Sequence, residues 1–582
     1  MQSTYLIIQI SFIKTIFKHK PNFMCRFSKL MYSVFFILFF SFVSCRNTHR
    51  SNNQELVTDA SQMNDKVKSN IEDIIAAAAN GERLQDSTPL LYYTTLKFLY
   101  GQNQSEGFWS SQQKWTQNAA TLLNFIDTAA MNGLYKEDYH YEKIKQLKNL
   151  LETDSIKRMD AVLWANADVL FSDALSALLK DLKQGRLVVD SSSYKNDTVK
   201  YRTFFNANFN KFKNGQSLTD ILAAVQPQYK EYKILKTALK IFTVGMDNTI
   251  YTYLTYPYKD SLLFITSFKK RLLEEGIDVT VNADSNQIKT VVKKYQSDNG
   301  LVADGKIGNS VIKKLNLTDR QKFNIIAITL DKYKMLPEIM PQKYIWVNLP
   351  SFYLKVWSAD TVVFESKIIC GKPATPTPHI TSAINNMVLY PTWTVPTSII
   401  KKDMLPGLKK NSAYLERKGL YLLNGKGEHI NASSINWAKY TKGIPFLIQQ
   451  GSGDDNALGV IKFNFENPYS VYLHDTNQRY LFKNSVRSLS HGCVRVQEWQ
   501  KLSNFIVRND SANWKKNEVM PYNTDSITSW IAQKQKHNVN IKNKIPLFIR
   551  YFSCETVNGT IKFYDDIYGE DKALKQQFFA AK

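Results

Sequence analysis

The spacing of apolar and polar residues changes once along the chain, from a helical period to the alternation of strands. From about residue 68 to about residue 250, apolar side chains recur every three or four positions, most clearly over 115–141 and 162–179. This period predicts helices. After about residue 320, segments such as 344–350 and 352–357 alternate and are rich in β-branched and aromatic residues, which predicts strands. We therefore expect an α+β protein of several domains.

A compact segment between these two parts predicts a small domain of three helices. Its three apolar faces are marked by Phe268 and Leu272, by Ile288 and Val292, and by Ile312 and Leu315. Glycine-containing turns at 299–301 and 304–308 separate the second helix from the third.

The N-terminus has the pattern of an export signal followed by a polar tether. Basic residues such as Lys14 and Lys29 precede the apolar run 31–43, and Ser44 and Cys45 follow it. A basic start, a short apolar run and a small residue at the end are typical of a signal peptide. The arrangement resembles a bacterial lipoprotein signal in which Cys45 would be lipidated, although ordinary cleavage and an uncleaved anchor remain alternatives. The polar residues that follow predict a flexible tether.

Length and charge limit the classes of function. The chain has 582 residues, of which 44% are hydrophobic and 22% are charged, so we expect about two to four globular domains. The net charge of +24 comes from Lys and Arg residues that are spread through the whole chain, without a zinc-finger or helix-turn-helix spacing. This distribution argues against nucleic acid as a partner and suits an anionic cell envelope.

The cysteines favour a reactive thiol over a disulfide framework. Of the five cysteines, Cys25 and Cys45 belong to the signal, which leaves Cys370, Cys493 and Cys554 in the folded body. An odd number in an exported protein leaves at least one thiol unpaired, while a bridge between Cys370 and Cys554 stays open.

The run 490–495, Ser-His-Gly-Cys-Val-Arg, carries the candidate chemistry. A thiol reacts as its thiolate, so a nucleophilic Cys493 needs a base. His474, at the end of a strand-like run, is the favoured base. Gly492 lets a substrate carbonyl approach the backbone, and the amides around Cys493 would hold an oxyanion. Arg495 is placed to meet a carboxylate.

Two further residues of this run have alternative interpretations. His491 could be the base, but we assign that role to His474 and expect His491 to orient the turn through a hydrogen bond. Ser490 is either a partner for an imidazole or a surface hydroxyl. A metal site built from His474, His491 and Cys493 is disfavoured because no fourth ligand accompanies them at a metal-binding spacing.

Three residues outside the run are candidates for substrate contact. Arg487 would either clamp a substrate carboxylate or form a structural salt bridge. Trp393 and Tyr472 would line either the substrate groove or the core, where aromatic residues are more frequent.

A histidine followed by Ser490-His491-Gly492-Cys493-x-Arg495 resembles the active-site signature of the L,D-transpeptidase (YkuD) family, which acts on bacterial peptidoglycan. The likeness extends over roughly 320–510, where 370–373, 390–396 and 456–459 resemble the catalytic domain of the large, YcbB-like members. The sequence of residues 129–139 resembles part of the helical scaffold domain of those members. The small segment of three helices resembles a peptidoglycan-binding domain.

This resemblance implies a fold and a division of the chain. We expect a helical scaffold domain, a small three-helix peptidoglycan-binding domain and a β-rich catalytic domain with an inserted lid over the substrate groove. The expected bounds are 1–45 for the signal, 46–66 for the tether, 67–258 for the scaffold domain, 259–318 for the peptidoglycan-binding domain, 319–515 for the catalytic domain with its lid at about 399–447, and 516–582 for a C-terminal extension.

The resemblance also implies an activity. We expect an L,D-transpeptidase that cross-links peptide stems through a thioester on Cys493 and releases D-alanine, without a cofactor or a metal. Hydrolysis of the same bond by an L,D-carboxypeptidase and a non-catalytic wall-binding scaffold are the alternatives. The expected partners are peptide stems as donor and acceptor, glycan strands through 259–318, the membrane through the N-terminal anchor, and carbapenems as inhibitors. The expected location is the periplasmic face of the cell envelope, with the protein anchored as a lipoprotein.

Overall fold

The computed structural model describes residues 54–187 and 198–579, apart from residues 248, 281, 442, 513, 516 and 517. The predicted signal and its candidate lipidation site Cys45 lie outside the described residues, as does the first part of the predicted tether. Up to residue 334 the described chain is mainly helical, and after it the chain is rich in strands. This confirms the predicted α+β class.

The N-terminal helical part is built around one long, buried helix, α6. The elements of this part are α1 Met63–Ala77, α2 Tyr93–Gln102, β1 Ser110–Ser111, β2 Lys114–Trp115, α3 Gln117–Asp127, α4 Tyr141–Thr153, α5 Ser155–Arg158, α6 Ala161–Gln184, α7 Thr198–Lys213, α8 Leu218–Ala224 and α9 Lys230–Gly245. Helix α6 begins after Asp160, whose carboxylate accepts a hydrogen bond from Val162 N at 3.1 Å, and ends at Gly185 with φ +75°. Its length and hydropathy would suffice for a membrane span, but its apolar window is 89% buried inside the protein, as in a core helix.

The predicted tether at 46–66 needs a correction in its second half. Residues 60–62 form a 3-10 helix and α1 begins at Met63. Val57 and Met63 are buried in the helical core, and Val57 N donates to Met159 O at 2.7 Å. The polar composition of the segment concealed these two apolar anchors, which fix the chain to the helical part from residue 57 onward.

The small segment between the two halves contains the three helices predicted for it. They are α10 Ser261–Glu274, α11 Ser285–Asp298 and α12 Asn309–Leu315. Phe268, Val292 and Leu315 are among the residues of their separate hydrophobic core. A capping box formed by Asp284 and Gln287 begins α11. Helix α13, Asp319–Lys334, then leads to the strands.

A curled nine-stranded sheet forms the C-terminal half. The strands after α13 are β3 Lys343–Asn348, β4 Tyr353–Ser358, β5 Thr361–Gly371, β6 Ile380–Leu389, β7 Trp393–Thr394, β8 Leu420–Leu423, β9 His429–Ile430, β10 Leu447–Gln450, β11 Ile461–Phe465, β12 Leu473–His474, β13 Ser488–Ser490, β14 Val494–Val496, β15 His537–Arg550, β16 Cys554–Val557 and β17 Thr560–Phe563. The order in the large sheet is β13-β5-β14-β12-β11-β6-β15-β3-β4, and β4 also pairs with β5. The sheet therefore curls around a core that includes Leu354, Phe463 and Leu547.

The inserted segment forms a small subdomain with a core of its own. Strands β7, β10, β8 and β9 make a four-stranded sheet, and the short helices α14 Thr397–Ile399 and α15 Leu405–Lys410 pack beside it. Leu405, Leu422, Trp437 and Ile448 are buried together. The sequence suggested a polar, partly helical lid at about 399–447; the structure begins the subdomain at β7 and ends it with β10. We call residues 393–450 the lid.

The C-terminal residues belong to the nine-stranded sheet rather than to a separate extension. After α16 Trp499–Ser511 and α17 Thr524–Ala532, strand β15 lies between β6 and β3. Its side chains Ile545, Leu547 and Ile549 are fully buried. The predicted boundary at residue 515 therefore divides one sheet, because the strand that completes this sheet comes last in the chain. The hairpin of β16 and β17 and helix α18, Glu570–Phe578, follow.

Candidate active site

Two parallel strands bring the candidate residues together. In the pair of β12 and β14, Leu473 lies opposite Val494 and His474 lies opposite Arg495. Successive side chains of a strand point to opposite faces. Leu473 and Val494 are fully buried in the core, so His474 and Arg495 lie on the other face, together with Cys493 two residues before Arg495. The register thus makes Cys493 a diagonal neighbour of His474, as the sequence motif requires.

The thiol of Cys493 is half-buried and is neutral at rest. Its Sγ lies 3.9 Å from the carbonyl oxygen of Ser470. Burial raises the pKa of the thiol, and this outweighs the lowering effects of hydrogen bonding by Tyr472 and of the positive charges of Lys462 and Arg495. At neutral pH Cys493 is therefore mostly protonated and depends on a base for reaction.

The imidazole of His474 is also neutral. His474 is only 4% exposed, and its Nδ1 is buried without a hydrogen-bond partner. Burial, and next the positive charge of Arg495, lower its pKa to about 3. In the described part of the chain no hydrogen bond joins His474 to the Cys493 thiol. The two residues therefore rest as a thiol and a neutral imidazole that is able to accept a proton, rather than as an ion pair.

The turn before the nucleophile is held by Ser490. This residue is buried; its Oγ donates to Cys493 O at 2.5 Å and accepts from Gly492 N at 3.1 Å. Gly492 has φ +122°, a conformation that favours glycine, and its carbonyl accepts from Thr377 Oγ1 at 2.8 Å. Ser490 is thus neither a partner for an imidazole nor a surface hydroxyl, as the two sequence interpretations had it. It shapes the turn through backbone contacts.

The backbone N–H groups of this turn differ in whether they already donate a hydrogen bond. Gly492 N bonds to Ser490 Oγ, and Val494 N donates to Tyr472 O at 3.1 Å. Within the residues that the structure describes, the Cys493 N–H has no acceptor. Of the amides proposed from the sequence as oxyanion donors, Cys493 N–H is therefore the one left free.

His491 contacts the lid instead of orienting the turn. Its Nε2 lies 2.5 Å from Oδ2 of Asp403, a residue of the lid, and both side chains are partly exposed. The sequence prediction of a turn-orienting hydrogen bond is therefore corrected: the bond exists but joins the catalytic turn to the lid.

The two arginines have different surroundings. Arg487 is buried, and its guanidinium donates to the carbonyl oxygens of Ile368, Asn484 and Phe352 at 2.9–3.0 Å. It is a structural residue, and its partners are backbone oxygens rather than a carboxylate. Arg495 is half-buried, donates to Gln478 Oε1 at 3.0 Å and keeps a buried Nε without a partner. No protein carboxylate in the described chain forms an ion pair with Arg495, so a substrate carboxylate can take that place.

Trp393 and Tyr472 join the lid to the nucleophile. The side chain of Tyr472 hydrogen-bonds with Cys493 and with Trp393. Burial raises the pKa of the Tyr472 hydroxyl well above its usual range. Since an indole N–H only donates, Trp393 is the donor to the Tyr472 hydroxyl. Trp393 belongs to β7 of the lid, and it also packs against the lid core. The two aromatic residues thus lie between the lid core, the core of the large sheet and Cys493.

Lys462 is a site residue that the sequence analysis did not select. On β11 it lies opposite His474, and its Nζ is 4.0 Å from the centre of the Tyr472 ring. It makes no ion pair with a carboxylate in the described chain, and its charge lowers the pKa of the Cys493 thiol. In the sequence, the indication of a role for Lys462 was its position as a lone lysine within the apolar strand 460–463. Only the pairing of β11 with β12 shows that it lies opposite His474.

The structure also shows where the other two cysteines lie and whether side chains that bind metals are clustered. Cys370 and Cys554 are free thiols, buried in different hydrophobic cores. They therefore do not form the disulfide bridge that the sequence left open. Among the described residues, no group of three or more His, Cys, Asp or Glu side chains is arranged to hold a metal ion.

Comparisons with known proteins find two families and one curated relative. Residues 342–515 match the model of the L,D-transpeptidase catalytic domain (YkuD), and residues 94–239 match the model of a scaffold domain. A Haemophilus influenzae protein described as "Putative L,D-transpeptidase" is 30% identical over 265 residues, which are 45% of this chain and 50% of that protein. The chain thus spans about half the length of the curated relative it matches.

Two solved structures are similar to parts of the chain. The Ldtfm-avibactam carbamoyl enzyme has 13% sequence identity and a TM-score of 0.17, and the match covers 36% of this chain and 49% of that one. An L,D-transpeptidase (Yku) from Stackebrandtia nassauensis has 11% identity and a TM-score of 0.18, with 57% of this chain and 94% of that one covered. At these scores neither structure adds to the argument.

Proposed function

We propose that this chain, whose residues 342–515 match the L,D-transpeptidase catalytic domain (YkuD), cross-links peptidoglycan peptide stems through a thioester on Cys493. One observation carries the proposal: Cys493, His474 and Arg495 share one face of β12 and β14, and Arg495 has no carboxylate partner among the described residues. A nucleophile, a base and an anion-binding group therefore converge on the same groove.

The first half-reaction forms the thioester. As Sγ of Cys493 bonds to an amide carbonyl carbon of the donor stem, its proton passes to His474. The carbonyl oxygen becomes an oxyanion and accepts a hydrogen bond from Cys493 N–H, a contribution of about 10²–10³ in rate. The C–N bond then breaks, and the amine, D-alanine in this proposal, leaves with the proton that His474 had taken. Arg495 binds a carboxylate of the stem and fixes its position.

The second half-reaction transfers the acyl group. The amine of an acceptor stem attacks the thioester carbonyl and gives its proton to His474. The C–S bond breaks, the new amide is released, and the sulfur recovers the proton from His474. Water in place of the amine would give a carboxypeptidase. A closed lid excludes water from the thioester and so favours transfer over hydrolysis.

We also propose that the protein works at the cell envelope, anchored through its N-terminal segment. The support is the signal-like sequence at 1–45 and the strongly positive net charge.

The proposal is tested by a product assay. The full chain, purified in detergent, is incubated with disaccharide-tetrapeptide, and the products are read by mass spectrometry. Wild type is compared with Cys493→Ala and with Cys554→Ala, a matched change of a buried thiol away from the groove. We expect wild type and Cys554→Ala to make dimers that lack one D-alanine, and Cys493→Ala to make none. A carbapenem should add one drug mass to the first two proteins and not to the third.

Other outcomes would overturn the proposal in different ways. Tripeptide monomers without dimers would assign hydrolysis to Cys493. Dimers made by Cys493→Ala would place the nucleophile elsewhere. No product and no carbapenem adduct on a folded wild-type protein would exclude catalysis at this site and favour a wall-binding role.

A further inference from the structure

A small cavity of about 50 Å³ lies where the N-terminal helical part meets the nine-stranded sheet. The core of the sheet contains Ile345 and Val347 of β3 and Leu354 and Val356 of β4. Because side chains of a strand alternate, the residues between these four lie on the outer face. That face forms one side of the cavity, and residues of α9, α13 and the β15–β16 connection form the others. None of the residues proposed for the reaction at Cys493 lines it.

The walls of this cavity are rich in aromatic side chains. Six of them line it: Tyr229, Tyr333, Tyr344, Trp346, Trp357 and Phe552. The rings also contact one another. Tyr344 and Trp357 stack with their ring centres 5.9 Å apart, and Phe552 meets Tyr333 edge to face at 4.7 Å. The face of an aromatic ring carries partial negative charge, so a group of rings around a small space attracts a cation.

Two carboxylates line the cavity, and they differ in their partners. Glu555 forms a salt bridge with Lys355, and its other oxygen accepts from Asn348 Nδ2 at 2.6 Å. Glu231, in the first turn of α9, forms no ion pair in the described chain. Burial raises the pKa of Glu231, an effect that its own backbone N–H, Lys230 and Lys355 only partly offset. A cation bound in the cavity would stabilise this carboxylate.

The cavity is locally acidic although the chain has a net charge of +24. Besides Glu231 and Glu555, the carboxylates of Asp360 and Glu365 lie near enough to act on Glu231 and on Lys355, respectively. Screening at physiological salt acts over about 8 Å, so lysines elsewhere on the surface contribute little here. The local charge therefore favours a cationic ligand.

The size of the cavity and its hydroxyl groups narrow the choice of ligand. A buried water needs about 10–15 Å³, so this cavity has room for roughly three to five groups of that size. An alkylammonium group fits, whereas a sugar ring or a peptide backbone does not. Within the described chain, the hydroxyls of Tyr229, Tyr333 and Tyr344 form no hydrogen bond. They are able to accept from the N–H groups of a primary ammonium, which a quaternary ammonium lacks.

We propose that this cavity is a binding site for a primary ammonium group on an unbranched alkyl chain. The ammonium lies among the aromatic rings, pairs with Glu231 and donates to the tyrosine hydroxyls. Free diamines and the lysine side chains of peptides both carry this group. Because helices and sheet line the cavity together, a bound ligand also joins the helical part to the sheet. The site is independent of the reaction proposed at Cys493.

The experiment uses n-butylammonium as the probe. Its binding to the full chain in deuterated detergent is measured by ligand-detected NMR, and its effect on Tm by thermal unfolding. 1-Butanol has the same chain length without the charge, and tetramethylammonium has the charge without an N–H group. We expect 1-butanol to bind about tenfold or more weakly than butylammonium, and tetramethylammonium to bind severalfold more weakly. Butylammonium should raise Tm, since it binds only the folded protein.

Two variants change the cavity in different ways. Glu231→Gln removes the unpaired charge at nearly constant size and should weaken butylammonium binding about tenfold. Tyr333→Phe keeps the ring but removes a hydroxyl, so it should weaken binding of butylammonium about threefold and leave binding of tetramethylammonium unchanged. Glu72→Gln, at an exposed position of α1, is the matched control and should bind all probes as wild type does.

Three results would overturn the inference. Equal binding of 1-butanol would remove the role of charge, and unchanged butylammonium binding in both folded cavity variants would place its site elsewhere. No binding up to about 100 mM butylammonium would exclude the site altogether.

Two further probes distinguish the sources of the ammonium. Tighter binding of 1,5-diaminopentane would support a free diamine, and tighter binding of Nα-acetyl-lysine amide would support a lysine side chain. All readouts are binding, so they remain valid whether or not the product assay finds turnover at Cys493.

Discussion

At Cys493, burial and two nearby cations act on the thiol in opposite directions. Burial raises its pKa, while Lys462 and Arg495 lower it. The same burial and the same arginine lower the pKa of His474 to about 3. Since the anionic thiolate and the cationic imidazolium are both disfavoured by burial, the pair stays neutral until a substrate arrives. Lys462 is then the cation best placed to support the sulfur during reaction.

This balance predicts the pH dependence of alkylation. The iodoacetamide rate of wild-type Cys493 should rise steadily with pH and show no plateau between about pH 5 and pH 7, because the thiolate forms only above the usual thiol pKa. Lys462→Met removes a charge that stabilises the thiolate, so the apparent pKa should rise further and kcat/KM should fall about tenfold. Labelling rates against pH and the product assay measure the two effects.

Lys462→Arg is the control, since it keeps the positive charge and should keep most of the activity. A flat, fast alkylation rate from about pH 5 to pH 7 would instead reveal a thiolate–imidazolium pair and contradict the neutral resting state.

Among the elements of the fold, the short strands β12, β13 and β14 carry the site, and they depend on neighbours for their rigidity. Arg487 binds backbone oxygens from β5, from the loop after β3 and from the segment before β13. Ser490 then closes the turn between β13 and β14. These contacts hold the turn of the nucleophile in place without touching the reacting atoms.

Arg487→Lys should therefore act on stability rather than on substrate binding. Lysine keeps the charge but cannot reach three carbonyl oxygens in the geometry of a guanidinium, so the loss should be about 2–3 kcal/mol, seen as a fall of several degrees in Tm. KM for the folded fraction should stay near that of wild type. Thermal unfolding and steady-state kinetics on disaccharide-tetrapeptide give the two values.

Arg495→Lys provides the contrasting variant, because Arg495 lies on the same face as Cys493 and has no carboxylate partner in the described chain. It should raise KM and change Tm little. A raised KM in Arg487→Lys at unchanged Tm would restore the alternative in which Arg487 clamps the substrate.

For the whole molecule, the lid and the turn before Cys493 meet at an exposed contact between His491 and Asp403. The lid has its own core, so it can move as a unit, and His491 and Asp403 join it to the turn before Cys493. An exposed pair of this kind contributes about 0–1 kcal/mol. In the proposed mechanism, a contact of this strength would bias the lid toward closure and still allow the substrate to enter.

Asp403→Asn should raise the ratio of hydrolysis to transfer by up to about fivefold, because a lid that opens more often admits water to the thioester. The ratio of tripeptide monomers to dimers in the product assay measures this effect. Glu416→Gln, which removes another exposed carboxylate of the lid, should leave the ratio unchanged. An equal rise in both variants would point to the charge of the lid rather than to the contact with His491.

The motif at 490–495 and His474 could be identified from the sequence because their chemistry depends on residue types at a short spacing. The roles of the residues around them could not. Arg487 and Arg495 are both arginines near the nucleophile, and only the structure shows that backbone oxygens hold the first while the second lacks a carboxylate. Ser490 and His491 were likewise predicted to be site residues, and only the structure shows that the hydrogen bonds of Ser490 lead to the backbone and that of His491 to the lid.

For helices, strands and domains, too, the sequence predicted what depends on local patterns and missed what depends on contacts between distant segments. Helical periodicity predicted the three helices of the small unit, and alternation predicted the strands that follow, because both signals are local. The core of the lid and the position of β15 between β6 and β3 depend on contacts between distant segments, which no local period contains.

The sequence by itself determined the α+β class and the order of helical and strand-rich parts, and it singled out Cys493 and His474 as the proposed nucleophile and base. The tertiary structure alone decided which side chains face Cys493, which amide is free for an oxyanion, and that β15, near the end of the chain, completes the large sheet. The physical reason is that strand register and domain packing bring together residues far apart in the chain, and burial then sets their pKa values and their free hydrogen-bonding groups.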